Sequence, residues 1–160
     1  MQWGKFRIGN YWVYKSKKYN SLEQQYFDNG VVDSVSIVGT TIIQGETYFK
    51  FRTETTGNDT ESPLSNPNGV KFEYLRELDG NLINEESVIK FSNNNFEERL
   101  IKEHDWGTIY ETLIEGITTI NVEAGQFDCI NSERYAITVE GEQLTGLDRY
   151  YYADGYGLIY

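Results

Sequence analysis

Residues 72–83 read FEYLRELDGNLI, and this stretch predicts a β-hairpin near the middle of the 160-residue chain. Asp79-Gly80 at its centre is a dipeptide that tolerates the positive φ angles of a type I′ turn. The apolar residues on the two sides of the turn are Phe72, Tyr74 and Leu78 before it, and Leu82, Ile83, Val88 and Ile89 after it. The expected structure is a pair of antiparallel strands.

The segment before this hairpin shows the alternation of a half-buried strand. Between residues 45 and 52, Phe49 and Phe51 fall on one face, and Tyr48 falls on the other. Successive side chains of a strand point to opposite faces, so we expect the first face to point into the core. The same period predicts a core that includes Phe49, Phe51, Tyr135, Ile137 and Val139.

Composition extends this strand pattern to the whole chain. Val, Ile, Thr, Tyr, Phe and Trp, which favour strands, make up 60 of the 160 residues. Ala, Leu and Met, which favour helices, make up 14. The sequence therefore predicts one mostly β domain over residues 1–160. The expected architecture is a single curved antiparallel sheet, or an open barrel or half-barrel, of about nine or ten strands.

Two segments break the pattern. Residues 93–107 fit either a short helix or an irregular strand. Asn94 or Asn95 could cap a helix that Gly107 would end. At most one short helix is therefore expected, near residues 95–104. Residues 55–69 hold both prolines and almost no apolar side chain, which predicts an exposed loop and the least ordered internal segment.

Charge limits the classes of partner. The chain has a formal net charge of -11, which makes nucleic acid an unfavourable partner. An anionic membrane surface is disfavoured for the same reason. No run of 18 apolar residues is present, and the first residues have no apolar stretch of signal-peptide length, so the protein is expected to be either cytosolic or without its leader here.

Few residues suggest catalytic or metal chemistry. The chain has one histidine, His104, and one cysteine, Cys129, which argues against a zinc site and excludes an intrachain disulfide. We interpret Glu103-His104-Asp105 as a solvated polar turn and Cys129 as a buried packing residue. Motifs for nucleophilic serine, phosphate or dinucleotide sites are absent from the sequence. The sequence thus predicts no catalytic residues, no metal ligands and no cofactor.

Aromatic side chains are the candidates for ligand binding. An aromatic side chain can line a pocket when a neighbouring residue of its strand fills the core instead. Aromatic faces of a sheet suit apolar or saccharide ligands. The candidate ligand-binding residues are Trp12, Tyr14, Tyr48, Tyr74, Tyr150 and Tyr152. The alternative is that these aromatics alternate between the core and cross-strand pairs on the outer face.

Three stretches together resemble a family of small bacterial cell-envelope lipoproteins of the Bacteroidetes type. Residues 8–14, IGNYWVY, resemble the family's G-x-x-W-x-Y opening. Residues 122–129, VEAGQFDC, resemble its V-x-A-G-x-F-x-C strand, turn and strand. Residues 151–159, YYADGYGLI, are similar to its Y-Y-A-x-G-x-G-x-I closing hairpin. With the hairpin at residues 33–52, the resemblance spans nearly the whole chain.

This resemblance implies a location and a class of function. It implies a β-rich domain in the cell envelope, tethered to a membrane by a lipid on an N-terminal cysteine, with the leader and lipobox cysteine outside this sequence. No activity is assigned to the family, so the leading hypothesis is a non-enzymatic domain that binds a lipid, a glycan or an envelope protein. A membrane is expected as a partner only through the lipid anchor. The alternatives are a glycan hydrolase with a carboxylate pair and a structural or adhesive module.

Overall fold

Eleven antiparallel β-strands form the regular structure in the computed structural model, which describes residues 6–61 and 65–160. Within these ranges there is no helix, and so none long and apolar enough to cross a membrane. The strands are β1 (Tyr11–Asn20), β2 (Gln25–Ile43), β3 (Glu46–Thr56), β4 (Gly69–Leu78), β5 (Asn81–Asn84), β6 (Ile89–Ser92), β7 (Arg99–His104), β8 (Gly107–Val122), β9 (Gly125–Thr138), β10 (Asp148–Ala153) and β11 (Gly157–Leu158).

The strands form two curled antiparallel sheets instead of the predicted single one. The first sheet has the order β1-β2-β3-β4-β5-β6, and the second has the order β11-β10-β9-β8-β7. The all-β antiparallel class is confirmed, and the single sheet of nine or ten strands is wrong. Local alternation identifies each strand, but it does not show that β6 and β7 belong to different sheets.

The chain also divides into two compact units. In the described residues, an N-terminal unit comprises residues 6–61, 65–76 and 83–88, and a C-terminal unit comprises residues 77–82 and 89–160. The single domain over residues 1–160 stays a prediction.

The hairpin predicted around Asp79-Gly80 is confirmed. β4 and β5 flank Asp79 and Gly80, whose φ angles of 50° and 78° are both in the left-handed region that a type I′ turn requires.

Of the two structures predicted for residues 93–107, the short helix or the irregular strand, the chain adopts the irregular strand, with a register shift between Leu100 and Lys102. Asparagine side chains in this segment bond to nearby backbone instead: Asn94 Nδ2 donates to the Asp79 carbonyl at 3.2 Å, and the Glu97 N–H donates to Asn95 Oδ1 at 3.0 Å. Such bonds compete with helix formation. From Arg99 onward the chain pairs with β8 as strand β7.

Each unit has its own apolar core. In the N-terminal unit Ile37 is the most buried side chain, and Phe51 is also buried, with the Phe6 ring edge-on to it at 5.4 Å between centroids. In the C-terminal unit Phe91, Leu113 and Ile130 form a buried cluster, against which Leu82 and Tyr152 pack.

The predicted core is correct at Phe51 and wrong at Val139. Val139 is 67% exposed because β9 ends at Thr138 and the chain turns there. Phe49, Tyr135 and Ile137 are half-buried. Tyr48, expected on the outer face of β3, is buried, with the guanidinium carbon of Arg76 at 5.4 Å from its ring centroid.

The segment predicted as an exposed loop at residues 55–69 is only partly a loop. β3 extends to Thr56 and β4 begins at Gly69. Thr55 and Asn58 are buried, because their polar groups are hydrogen-bonded within the N-terminal unit. The prediction of full exposure is therefore wrong at these two residues; residues 62–64 lie outside the described residues.

Candidate functional site

A hollow of about 320 Å³ opens in the N-terminal unit and is the candidate site. Six of its seven described lining residues carry a polar group, and Val31 is the apolar one. The lining residues are Tyr14, Lys15, Ser16, Val31, Asp33, Ser65 and Asn66.

Strand register places the central residues of this hollow side by side. Tyr14 on β1 lies opposite Asp33 on β2, and Asp33 lies opposite Thr55 on β3. Residues opposite each other in antiparallel strands share a face, so these three side chains form one cross-strand row. Val31 is on the same face, since it lies two residues from Asp33.

The Asp33 carboxylate is held at both oxygens. Thr55 Oγ1 donates to Asp33 Oδ1 at 2.5 Å, and Asn66 Nδ2 donates to Asp33 Oδ2 at 2.7 Å. The Lys71 ammonium donates to Asn66 Oδ1 at 2.8 Å, which fixes the orientation of that amide. A carboxylate fixed in this way has remaining lone pairs for a ligand donor, because each oxygen accepts more than one bond.

Hydrogen bonds and a close backbone contact position the loop that carries Asn66. Asn58, which is buried, donates from Nδ2 to the Asn66 carbonyl at 2.9 Å, and its N–H donates to Asn68 Oδ1 at 2.8 Å. Gly57 has a φ of 80° and packs against Gly30, so that a Cβ at residue 57 would lie 2.0 Å from the Gly30 carbonyl oxygen. Only glycine fits this approach.

Tyr14 provides a neutral hydroxyl beside the carboxylate. Burial raises the pKa of the Tyr14 phenol to about 12, because desolvation disfavours the phenolate. Near neutral pH the phenol therefore stays protonated and can both donate and accept a hydrogen bond.

The structure does not bring the six predicted aromatics into one site. Tyr14 is the only one of the six among the described lining residues of the hollow. Trp12 lies on the same face of β1 and stacks on Phe51 with 6.3 Å between centroids. By register, Tyr48 and Tyr74 lie on the opposite face of the first sheet.

The other two predicted residues belong to the C-terminal unit. Tyr150 packs on the Arg134 guanidinium at 4.5 Å, and Tyr152 stacks on Phe91 at 3.6 Å between centroids. Tyr152 thus takes a core position.

A row of alternating charges crosses four strands of the C-terminal unit. Arg99, Glu111, Arg134 and Asp148 lie opposite one another in turn on β7, β8, β9 and β10. The Glu111 carboxylate is buried and accepts hydrogen bonds from both Arg99 and Arg134. Burial by itself lowers the pKa of Arg134, but the charge and hydrogen bond of Glu111, with smaller contributions from Tyr150 and Tyr152, raise the pKa overall.

A smaller hollow of about 220 Å³ lies beside this row. Arg134 and Asp148 line it together with apolar side chains such as Ile109 and Leu144. Because the Glu111 carboxylate is hydrogen-bonded by Arg99 and Arg134 within the row, we assign the row a structural role and do not treat this hollow as the candidate site.

The histidine and the cysteine lie elsewhere. The His104 ring stacks on Trp106 at 5.1 Å between centroids. The predicted burial of Cys129 is confirmed, and burial raises the pKa of its thiol, with a further contribution from Asp128. In residues 6–61 and 65–160, no three His, Cys, Asp or Glu side chains are grouped so as to hold a metal ion.

Sequence reasoning missed Asp33 and Asn66, the two polar residues at the centre of the hollow. One signal was available for Asp33, which has the same strand parity as Val31, Val35 and Ile37 and therefore faces the same side. No comparable signal exists for Asn66, because its position depends on the fold of the loop. Comparison with protein-family models, curated proteins and solved structures gave no match.

Proposed function

We propose that this chain is a non-enzymatic binding domain whose hollow at Tyr14 and Asp33 holds a saccharide. The observation that carries the proposal is the Asp33 carboxylate, fixed between Thr55 and Asn66 and facing an open hollow beside the Tyr14 phenol. A carboxylate, an amide and a phenol that converge on one space match the dense donor and acceptor pattern of sugar hydroxyls. The aromatic ring offers an apolar face for the C–H groups of a pyranose.

The character of the lining favours a saccharide over an apolar ligand. An apolar ligand would cover the polar groups of Ser16, Asp33 and Asn66 without replacing their contacts with water, and buried polar groups without partners are costly. A hollow of about 320 Å³ is at the lower end of the volumes of small-molecule sites, which suits one or two sugar units.

Binding measurements on a panel of mono- and disaccharides test this proposal. We expect at least one saccharide to bind the unaltered chain in calorimetry or ligand-observed NMR. Tyr14→Phe should weaken that binding roughly 3- to 10-fold, the value of one neutral hydrogen bond. Asp33→Asn should weaken it by more than about 10-fold, because it removes hydrogen bonds to a charged group.

Tyr11→Phe is the matched control for Tyr14→Phe. Tyr11 lies on the same strand but on the opposite face and is 60% exposed, so its hydroxyl should not affect binding. A melting curve for each variant separates lost binding from lost folding. Equal affinity in Tyr14→Phe, Asp33→Asn and the unaltered chain would contradict the proposal, as would binding of apolar ligands with no saccharide bound.

The alternative of a glycan hydrolase makes a different demand on the same hollow. Hydrolysis with retention or inversion uses two carboxyl groups roughly 5 to 10 Å apart. Asp33 is the one carboxylate among the described lining residues. We therefore propose binding rather than hydrolysis, and release of reducing sugar from the same panel would overturn that choice.

We also propose a location in the cell envelope, with a lipid anchor on a cysteine that precedes residue 1. The support is the three stretches that resemble envelope lipoproteins at residues 8–14, 122–129 and 151–159. The codons upstream of residue 1 in the native gene test this. We expect an apolar leader that ends in small residues followed by cysteine, and an upstream sequence with no such leader would contradict the location.

A further inference from the structure

The first hairpin extends well beyond its neighbouring strand as a two-stranded ribbon. β1 and β2 pair from Tyr11 with Ser36 to Asn20 with Gln25. The pairs between β2 and β3 begin only at Val32. Seven residues of β2 therefore separate Val32 from the turn, which places the tip about 24 Å beyond the end of β3.

The tip of this ribbon exposes apolar and aromatic side chains. Leu22 in the turn is 94% exposed. Tyr19 and Tyr26 lie opposite each other behind it, with 5.1 Å between ring centroids, and both are more than half exposed. Phe27 is also exposed. Single exposed apolar residues are common, but a group of four at one projecting end is a typical feature of an interaction surface.

The turn holds Leu22 at the apex by hydrogen bonds. Asn20 Oδ1 accepts from the Leu22 N–H at 3.0 Å and from the Glu23 N–H at 3.3 Å. Gln24 takes a positive φ of 52°, which closes the turn. The exposed leucine is therefore displayed by a defined turn, so little conformational entropy is lost when it is buried against a partner.

The charge of the ribbon is opposite in sign to that of the whole chain. Residues 15–31, which form the ribbon, contain three lysines and two acidic residues, Glu23 and Asp28, and so carry a net charge of +1 in a chain of net charge -11. Lys17 and Lys18 are exposed. The tip lies about 24 Å from the end of β3, while the Debye length is about 8 Å at physiological ionic strength. Salt therefore screens the tip from the acidic residues of β2 and β3 beyond Val32, while Asp28, opposite Lys17, is the acidic residue of β2 within the ribbon.

We propose that this hairpin tip docks on the surface of an anionic lipid bilayer. Along the ribbon the chemistry follows the depth order of a bilayer interface: Leu22 first, the Tyr19–Tyr26 pair next, and Lys17 and Lys18 behind them. Tyrosine rings prefer the headgroup level, and lysines reach back to lipid phosphates while their alkyl stems stay in the interface. Each lysine near an anionic surface contributes attraction.

The net charge of -11 repels the chain as a whole from an anionic bilayer. The tip of the ribbon feels little of this repulsion, because it projects further from the sheet than the Debye length. Glu23, next to Leu22, limits the depth of insertion, because a carboxylate stays in the headgroup layer. The contact is therefore shallow and sensitive to salt. This inference concerns a different surface from the saccharide hollow, and either proposal can fail alone.

Co-sedimentation with vesicles tests the docking. We expect the unaltered chain to bind vesicles of phosphatidylcholine mixed with phosphatidylglycerol, and to bind pure phosphatidylcholine vesicles much more weakly. Leu22→Asp should weaken binding to the mixed vesicles by more than about 10-fold, since it removes the buried apolar side chain and adds an anion. Lys17→Gln and Lys18→Gln should each weaken binding about fivefold. Glu23→Gln should strengthen it.

Two variants serve as controls. Ile42→Asp changes a side chain of similar size that is 72% exposed elsewhere in the N-terminal unit, and Lys102→Gln removes an exposed lysine from the C-terminal unit. Both should bind the mixed vesicles like the unaltered chain. The proposal is overturned if the unaltered chain does not bind mixed vesicles, or if Leu22→Asp binds them as well as the unaltered chain does.

Discussion

Replacing Glu111 with alanine should lower the free energy of unfolding by roughly 3 to 5 kcal/mol. The Glu111 carboxylate is 2% exposed and accepts hydrogen bonds from both Arg99 and Arg134. Without it, two guanidinium groups on neighbouring strands would face each other across a site that is shielded from water. Denaturant unfolding monitored by tryptophan fluorescence measures the loss.

Glu133→Ala is the matched control for this experiment. Glu133 pairs with Arg149 at 3.0 Å on the opposite face of β9, where the Arg149 side chain is 52% exposed. The Glu133 side chain is 23% exposed and also accepts a hydrogen bond from the buried Asn131 amide, so this variant should lose about 1 to 2 kcal/mol, clearly less than the Glu111 variant. A Glu111 variant that unfolds at the same denaturant concentration as the Glu133 variant would show that the charged row does not stabilise the fold.

Replacing Phe91 with alanine should lower the free energy of unfolding by about 3 to 5 kcal/mol. Phe91 is 1% exposed, packs with Leu113 and Ile130, and stacks on the Tyr152 ring. Its removal would leave a cavity in the centre of the C-terminal core, in addition to the lost burial of the ring. Thermal melting followed by circular dichroism checks the size of the effect.

Phe96→Ala removes a ring of the same type from the same unit with little expected effect. Phe96 is 44% exposed, and substitutions at such positions usually change stability by about 0.5 kcal/mol or less. If both phenylalanine variants melt together, the assignment of the core to Phe91 is wrong.

Local sequence signals predicted the strands but not how they assemble. The Asp79-Gly80 turn and the alternation around Phe51 depend on neighbouring residues; the turn agrees with the structure, and the alternation agrees at Phe51 but not at Tyr48, which is buried on the opposite face. Assignment of β6 and β7 to separate sheets depends on pairings between distant segments, which local periodicity does not contain. The same limit explains Tyr152, which was expected to line a site and instead packs on Phe91, 61 positions away in the sequence.

Polarity alone does not identify the half-buried Asp33 or the buried Glu111 as inward-facing residues. Asp33 alternates with Val31 and Val35, and Glu111 alternates with Ile109 and Leu113, so in each case a carboxylate occupies the apolar face of a strand. Each carboxylate is hydrogen-bonded by residues of other segments, which makes that position tolerable. A charged residue in phase with apolar neighbours is therefore a signal that sequence analysis can use.

The buried thiol of Cys129 provides an intrinsic probe for the C-terminal unit. Cys129 is the single cysteine of the chain and is 0% exposed in β9, so an alkylating reagent can reach it only when that strand opens. The rate of alkylation, followed by the mass added to the intact chain, thus measures the opening equilibrium around residue 129 under native conditions. It reports on the same strand that carries Arg134 and Ile130, without a dye, a denaturant or an engineered label.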